Sequence, residues 1–333
     1  MNVLIFNKYK HYCFKYIILN YFIILLIFNL KNKEEHEDFI SNLLDKKNYT
    51  NIRFCVIKHD CNTCGLFSFF KVSLGCINKY LMENCIPIID IKSKPNPING
   101  FNRNKENYWE LFFDQPFNYN LEEVLKNGIN IININRPWKQ CYKWPDQRSM
   151  PFGEVERFFW HNFANKYLHI KKELIDLSDK IIHKLFKHSK NILGVLARGT
   201  DYIAMKPKKH PIQPKLSDII SDVKKMDEKY AYDYIFFSSD DEKYRDEFSK
   251  NFKNKIKQIR PKIKINYDYS RKTYLGFNNN IKGNIEFNKI YLLNIIILSK
   301  CLDIVTPRCN GAVGIFVLTK GFRNMKIYNL GLY

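Results

Sequence analysis

Short apolar runs alternate with longer amphipathic segments along most of the chain. In the first third, the pattern predicts a buried strand at 52–58, a helix at 65–84 and a second strand at 86–92. Short, continuous apolar runs bounded by turn residues are typical of buried strands. The order strand, helix, strand predicts a parallel βαβ unit. A further strand is predicted near Ile129.

The middle of the chain contains a long segment of helical period, 153–188, which is predicted to be one helix that bridges the two halves. The second half then alternates regularly. Strands are predicted at 191–197, 232–239, 263–268, 303–306 and 325–330, and helices at 217–230, from 240 onward, at 284–301 and at 310–321. This alternation is typical of a doubly wound α/β domain.

The N-terminal region differs from the rest. Residues 16–30 form an apolar run interrupted by Asn20 and Asn29, with lysines on both sides. A membrane-spanning helix needs about 20 apolar residues, so a short signal anchor, an interfacial helix and a buried N-terminal element all remain open. We expect a cytoplasmic protein, associated with a membrane through this segment. The sequence thus divides into an N-terminal segment and linker, 1–47, and two α/β domains, 48–188 and 189–333.

Net charge and cysteine content exclude few classes of protein. A net charge of +21 favours anionic partners. A bias towards residues encoded by A/T-rich codons explains the excess of basic residues equally well. The nine cysteines are an odd number in a large chain, so we expect mostly reduced, buried thiols, as in a cytosolic protein. Cys61 and Cys64 form a CxxC without a second pair at zinc spacing, which favours a loop over a metal site.

Polar residues follow three predicted strands of the second half. They are Arg198–Asp201, Ser238–Asp241 and Thr306–Ala312. In open α/β sheets, ligands bind beyond the carboxyl ends of the strands. The three strand ends are therefore expected to converge on one ligand.

Each strand end suits part of a nucleoside diphosphate. Arg198 offers a planar cation for phosphate oxygens, Gly199 allows close backbone approach, and Thr200 adds a hydroxyl. The helix start at Asn310 and Gly311 offers backbone amides to an anion, and Arg308 adds charge.

Structural roles compete with these functional ones. Taken alone, Asp201 is better explained as a turn residue, and Asp240 and Asp241 as helix caps. Gly311 has helix packing as an alternative role. An arginine that ends a fully apolar strand is better explained by a ligand.

The motifs GVLARGTDY, HPI, FFSSDDE and LLNIIILSKCLDIVTPRCNGAVG occur in this order from Gly194 to Gly314. The series resembles the donor-binding domain of α-1,6-fucosyltransferases, rhizobial nodulation fucosyltransferases and related bacterial surface-polysaccharide glycosyltransferases. The first half, with GLFSFF and NYWELFFDQPF, is similar to the acceptor domain of the bacterial members. The resemblance implies an α/β fold of the GT-B type, with two Rossmann-like domains and a cleft between them.

The resemblance also implies roles for individual residues. Arg198 would contact the donor diphosphate, and Asp240 and Asp241 would lie near the nucleotide. From the residue chemistry and the resemblance together, the full set of predicted nucleotide-sugar contacts is Arg198, Gly199, Thr200, Ser239, Asp240, Asp241, Asn294, Arg308, Asn310 and Gly311. The chain departs from the family pattern at four places, where Leu196 replaces a histidine, Gly199 an arginine, Asn294 a guanine-binding aspartate and Lys206 a glutamate.

The predicted function is an inverting glycosyltransferase that needs neither metal nor cofactor and takes part in polysaccharide biosynthesis. It would transfer a sugar, fucose from GDP-fucose first of all, to a glycan or lipid-linked saccharide. Arg198 would stabilise the leaving group, Asp201 and His210 are the candidate bases, and Lys206, Lys208 and Lys209 would help as a mobile lid. The alternatives are a non-catalytic basic protein that binds nucleic acid or phosphate, and a membrane-anchored structural protein. We expect no nucleic-acid partner.

Overall fold

The structure is a computed structural model. It describes residues 52–61, 64–99, 106–141, 143–261, 267–268, 273–274 and 281–333, without the side chains of 201, 267–268, 273–274 and 281–283. Arg53–Tyr333 form one compact unit. The segment 1–47 and the apolar run 16–30 lie outside the described residues. The boundary at residue 188 between two domains stays a prediction.

The first half is built on a three-stranded parallel sheet. Its strands are β1 (Arg53–Lys58), β2 (Ile86–Asp90) and β3 (Asn130–Asn135), in the order β2-β1-β3. Helix α1 (Leu66–Met82) joins β1 to β2, so the predicted βαβ unit is confirmed. Two short helices follow, α2 (Leu121–Asn127) and α3 (Pro137–Gln140), with single 3₁₀ turns at Tyr108–Leu111, Pro116–Asn118 and Gln147–Ser149.

The connection between the halves differs from the prediction. Two helices, α4 (Glu154–Tyr167) and α5 (Lys172–Phe186), replace the single long helix at 153–188. Between them, the backbone of 169–171 bonds to 112–114. The Asp114 amide donates to the His169 carbonyl at 2.8 Å, and the Lys171 amide donates to the Phe112 carbonyl at 3.0 Å. These bonds take the place of the hydrogen bonds of a continuous helix. They join residues far apart in the sequence, so the local apolar periodicity could not predict them.

The second half contains a five-stranded parallel sheet. Its strands are β4 (Ile192–Ala197), β5 (Tyr234–Ser239), β6 (Ile256–Lys257), β9 (Asp303–Pro307) and β10 (Met325–Tyr328). Their order in the sheet is β10-β9-β4-β5-β6. The helices are α6 (Asp201–Met205), α7 (Leu216–Tyr230), α8 (Glu242–Asn251), α9 (Ile281–Ser299) and α10 (Asn310–Leu318). One parallel sheet in each half confirms the predicted α/β fold.

The chain enters this second sheet at its centre. It proceeds outward from β4 to β5 and β6, then returns to place β9 on the other side of β4. The strand order therefore reverses between β4 and β9, which is the point where such sheets bind ligands. Of the predicted strand 263–268, the described part is Tyr267–Asp268 (β7), which pairs antiparallel with Thr273–Tyr274 (β8), while β6 occupies the sheet edge.

The predictions for the cysteines and for localisation need correction. Disulfides join Cys55 to Cys85 and Cys61 to Cys64, so these four thiols are not reduced as predicted. Four other cysteines are free and buried: Cys76, Cys141, Cys301 and Cys309. The predicted localisation, cytoplasmic and membrane-associated, is wrong on the present findings. In the part of the chain that the structure describes, no helix is long and apolar enough to cross a membrane, and disulfides are rare in cytosolic proteins.

Candidate functional site

An ion pair joins the ends of β4, the central strand of the second sheet, and its neighbour β5. Ala197 of β4 lies opposite Ser239 of β5 in the parallel register, so the next residue of each strand faces the other. Arg198 Nη1 lies 2.8 Å from Asp240 Oδ2, and the two side chains are 15% and 2% exposed. The guanidinium is therefore held in place by a buried carboxylate while it stays within reach of solvent.

Asp240 also organises the turn that follows β4. It accepts hydrogen bonds from the Gly199 amide at 3.0 Å and from the Thr200 hydroxyl at 2.5 Å. A side chain at position 199 would not fit, because its Cβ would lie 2.6 Å from the Cβ of Asp241. The glycine is thus required by the close approach of Asp241. Its predicted role in backbone contact with a ligand stays a prediction.

The two residues on either side of Asp240 have local structural roles. Asp241 caps α8, accepting from the Lys243 amide at 2.9 Å, and its own amide donates to the Ser239 hydroxyl at 3.1 Å. Both side chains are buried. The structural role as a helix cap therefore fits Asp241. Asp240 instead contacts the turn that follows β4.

The third strand end brings a thiol to the site. Cys309 caps α10, where its Sγ accepts from the Ala312 amide at 3.4 Å. Burial raises the pKa of the Cys309 thiol, opposed by Arg198 and by the amides of Ala312 and Gly311. The start of α10, which was predicted to bind an anion, therefore lies within electrostatic reach of Arg198. The buried amide oxygen of Asn310 finds no hydrogen-bond partner in the described structure.

Helix α9 contributes a tyrosine that the sequence did not single out. The Tyr291 hydroxyl packs so tightly against Gly311 that a Cβ there would collide with it. Burial raises the pKa of Tyr291, and Cys309, Arg198 and Asp240 also act on it. Asn294 lies about one turn further along α9, buried, and its Oδ1 is unpartnered among the described atoms. These positions place α9 along the same edge as the three strand ends.

Arg308 is engaged by the protein itself. Its guanidinium is buried and donates through Nε to the Gln147 carbonyl at 3.1 Å and through Nη1 to the Asn329 side chain. In this arrangement it fastens the 3₁₀ turn at Gln147–Ser149 to the second half. Its predicted phosphate contact stays a prediction.

The segment that follows Arg198 ends in a small cluster of polar side chains. The Tyr202 hydroxyl donates to Gln147 Oε1 at 2.9 Å, and His210 Nδ1 lies 3.4 Å from both Gln147 Nε2 and the Tyr202 hydroxyl. The Arg198 guanidinium sits over the Tyr202 ring, 5.1 Å from its centroid. This cluster connects the predicted residue His210 to Arg198.

The lysine-rich segment predicted as a mobile lid is tied to the C-terminus. The Lys209 amide donates to the Tyr333 carbonyl, and the Tyr333 amide donates to the His210 carbonyl, both at 3.0 Å. Lys206, Lys208 and Lys209 themselves are exposed. Asp201 begins α6, and its side chain is outside the described structure.

Sequence reasoning missed Gln147, Tyr202, Tyr291 and Cys309. Tyr202 follows Asp201, and Cys309 follows Arg308, both of which the sequence analysis selected. Their positions next to these residues could have identified them as well. Gln147 lies 55 positions before Tyr202, and Tyr291 lies inside a helix that is apolar on most sides. In the described residues, His, Cys, Asp and Glu form no group of three or more that could hold a metal ion.

No protein-family model matches the chain, and no curated protein matches it. Solved structures do. A fucosyltransferase NodZ from Bradyrhizobium is similar with 13% identity and a TM-score of 0.47, over 81% of this chain and 94% of that one. A NodZ alpha-1,6-fucosyltransferase soaked with GDP-fucose shows 11% identity and a TM-score of 0.45, over 81% and 93%. POFUT1 in complex with GDP-fucose shows 11% identity and a TM-score of 0.39, over 84% and 74%.

These structures are fucosyltransferases, the class of enzyme that the motifs of the second half resemble. The predicted resemblance of the chain to this class is therefore confirmed. At such identities and TM-scores it assigns neither an activity nor a role to any residue. The residues at the strand ends must therefore support the functional conclusion by themselves.

Proposed function

We propose that this chain is a glycosyltransferase that binds a nucleotide-sugar donor at the carboxyl edge of its second sheet. The observation that supports this most is the ion pair of Arg198 and Asp240. It fixes a guanidinium at the end of β4, one of the two strands between which the strand order reverses, and within electrostatic reach of the start of α10. A permanently charged planar donor in that place suits a diphosphate.

The reaction proposed is an inverting transfer in which the protein's own cations stabilise the departing nucleoside diphosphate. Arg198 and the amides at the start of α10 supply positive charge where the leaving group gains negative charge. Asp201 and His210 remain the candidate bases for the acceptor hydroxyl. The proposed acceptor is a glycan or a lipid-linked saccharide.

The proposed donor is GDP-fucose. It is the ligand named for two of the similar structures, which makes it the first compound to try. Asn294 stands where the resembling family has its guanine-binding aspartate, and its buried, unpartnered oxygen is suited to accept from a base edge.

The test is a thermal-shift and calorimetry panel with GDP, UDP, ADP and GDP-fucose. We expect GDP and GDP-fucose to stabilise the protein, by about 2.7 kcal/mol when the ligand is present at a hundred times its Kd. Arg198→Ala should abolish that stabilisation and lower turnover of GDP-fucose by about a hundredfold or more, because it removes the leaving-group cation.

Arg260→Ala is the matched control. Arg260 belongs to the same half and pairs with Glu242 and Asp246 on the surface of α8. It should respond to GDP as the parent protein does. If none of the four nucleotides stabilises the parent protein, or if Arg198→Ala still responds fully, the proposed function is wrong.

A further inference from the structure

Two of the free cysteines, Cys76 and Cys141, lie in the first half and have no part in the proposed function. Cys76 is in the middle of α1, and Cys141 directly follows α3. They are 0% and 1% exposed, and the structure holds both as thiols. A single buried thiol behaves as a small apolar side chain, so what these two can do depends on their distance from each other.

The chain that follows α3 runs along α1 in the opposite direction. Towards the start of α1, Lys71 pairs with Asp146 at 3.8 Å. Towards its end, the Tyr80 hydroxyl donates to Gln140 Oε1 at 3.2 Å. Residue numbers therefore rise along the helix as they fall along the facing segment. The two cysteines lie between these contacts in both segments, so this register places them at the same level.

A glycine next to Cys76 allows the two backbones to approach closely. A Cβ at Gly75 would lie 2.5 Å from the carbonyl oxygen of Lys143 and 2.9 Å from the Cβ of Trp144. A disulfide joins residues whose Cα atoms are about 4.4–6.8 Å apart, which is closer than most side chains allow between a helix and its neighbour. At Gly75 no side chain separates the helix from the facing segment, so a span of this length is available beside Cys76.

The two thiols also act on each other. Burial raises the pKa of the Cys76 thiol, and its contact with Cys141 raises it further. Contact with Cys76 lowers the pKa of the Cys141 thiol against the effect of burial, and Lys79 lowers it as well. Cys141 is therefore the thiol of the pair that ionises first, and the thiolate is the form that attacks a disulfide.

We propose that Cys76 and Cys141 are oxidised to a third disulfide, which joins α1 to the segment after α3. The Cys141 thiolate attacks one sulfur of a disulfide oxidant, such as glutathione disulfide, and displaces the other sulfur as a thiol. The Cys76 thiolate then attacks Cys141 Sγ in this mixed disulfide and displaces the second sulfur as a thiol. The oxidant thus gains the two protons and two electrons that the two cysteines lose.

The same half already contains two disulfides, which indicates that the chain matures where such an oxidant acts. Both sulfurs of the proposed bond are buried in the folded protein, so the oxidant reaches them only before α1 and the facing segment have packed. The bond therefore forms during folding. This inference does not rest on the proposed function.

The first experiment maps the bond in the full chain, produced in an oxidising secretory compartment. The protein is unfolded in urea with an alkylating reagent present, digested without reductant and examined by mass spectrometry. We expect a cross-linked peptide pair that contains Cys76 and Cys141. Alkylated Cys76 and Cys141, in protein that has formed the other two disulfides, would overturn the proposal.

Cys301 and Cys309 are the internal control of this experiment. They are free and buried like the proposed pair, but the five residues of β9 lie between them, so they are too far apart to be joined. They should be recovered as alkylated thiols from the same sample. A digest that also links these two would show that the bonds formed by exchange after unfolding, and the proposal would lose its support.

The second experiment compares the urea midpoints of Cys76→Ser, Cys141→Ser and the double variant. Each single substitution removes the whole bond, so all three variants should lose nearly the same stability. Cys301→Ser is the matched control, and its loss should add to that of Cys76→Ser because the two sites are far apart. Losses of Cys76→Ser and Cys141→Ser that add in the double variant would show two separate thiols and overturn the proposal.

Discussion

Asp90 and Asp240 are both buried aspartates at the end of a strand, one in each half, and they do different things. Asp90 ends β2, and its Oδ1 accepts from the amides of Lys92 and Ser93, two and three residues ahead, at 2.8 and 2.9 Å. Asp240 instead accepts from Arg198, Gly199 and Thr200, which follow the neighbouring strand β4. A carboxylate that accepts from its own turn shapes a loop, whereas one that accepts from the turn after the neighbouring strand holds a cation in place.

Uncharged polar side chains also lie at the edge of the first sheet. His59, directly after β1, is 1% exposed and contacts the Ser73 hydroxyl at 2.9 Å. Burial lowers the pKa of His59 to about 3, so it is uncharged in the folded protein near neutral pH. The amide side chains of Asn107 and Gln115 bond to the backbone of Ile89 there. Neutral amide side chains thus hold the end of β2.

The largest expected effect comes from removing the two aspartates. Asp240→Ala should destabilise the protein by about 3–5 kcal/mol, because it leaves the largely buried Arg198 without its counterion. Asp90→Ala should cost about 1–2 kcal/mol, because the two turn amides that it frees are only partly buried. Urea unfolding of both variants measures the difference, and equal costs would contradict the comparison of the two strand ends.

Next in size is the effect of the disulfides, which lie only in the first half of the described structure. Cys55–Cys85 closes a loop of sequence separation 30, and Cys61–Cys64 one of separation 3. Loop-closure entropy predicts about 3–4 kcal/mol for the first bond and about 2 kcal/mol for the second. Paired Cys→Ser variants, unfolded in urea without reductant, test this. A larger loss from the short loop would show that chain entropy does not govern these bonds.

A smaller effect is expected from pH, through His59 at the edge of the first sheet. The pKa of His59 is about 3 in the folded state and about 6.5 in the unfolded chain, so the unfolded state binds more protons between these values. Stability therefore falls as pH falls below about 6.5. From pH 7 to pH 5 the loss from this one group is about 2 kcal/mol. His59→Gln should remove that part of the pH dependence of unfolding, and a variant with the parent's full pH dependence would place the titration elsewhere.

The last comparison is between two glycines, one in each half. Gly199→Ala should cost about 1–3 kcal/mol and weaken GDP stabilisation, because its Cβ would press on Asp241, which is held as a helix cap. Gly65 begins α1 in the first half with nothing within 4 Å of an added Cβ, so Gly65→Ala should cost only about 0.5 kcal/mol, the loss of an N-cap glycine. Melting temperatures with and without GDP measure both, and similar responses of the two variants would refute the crowding argument.

The elements of the second half were largely readable from the sequence. NILGVLA became β4 and YDYIFFSS became β5, and Asp241 caps the helix that its position predicted. Apolar periodicity is a local property, so it predicts strands and helices well. The meeting of Arg198 with Asp240 was also predictable in outline, because parallel neighbours end at the same edge of a sheet.

What the sequence determined by itself was the α/β class, most of the elements, and the three polar strand ends that they bring to one edge. Only the tertiary structure decided that the predicted helix at 153–188 breaks at 168–171, that Cys55 and Cys85 are joined, and that Gln147 reaches Tyr202 and His210. These features depend on contacts between residues far apart in the chain. Such contacts are selected by the packing of whole elements, and no local pattern encodes them.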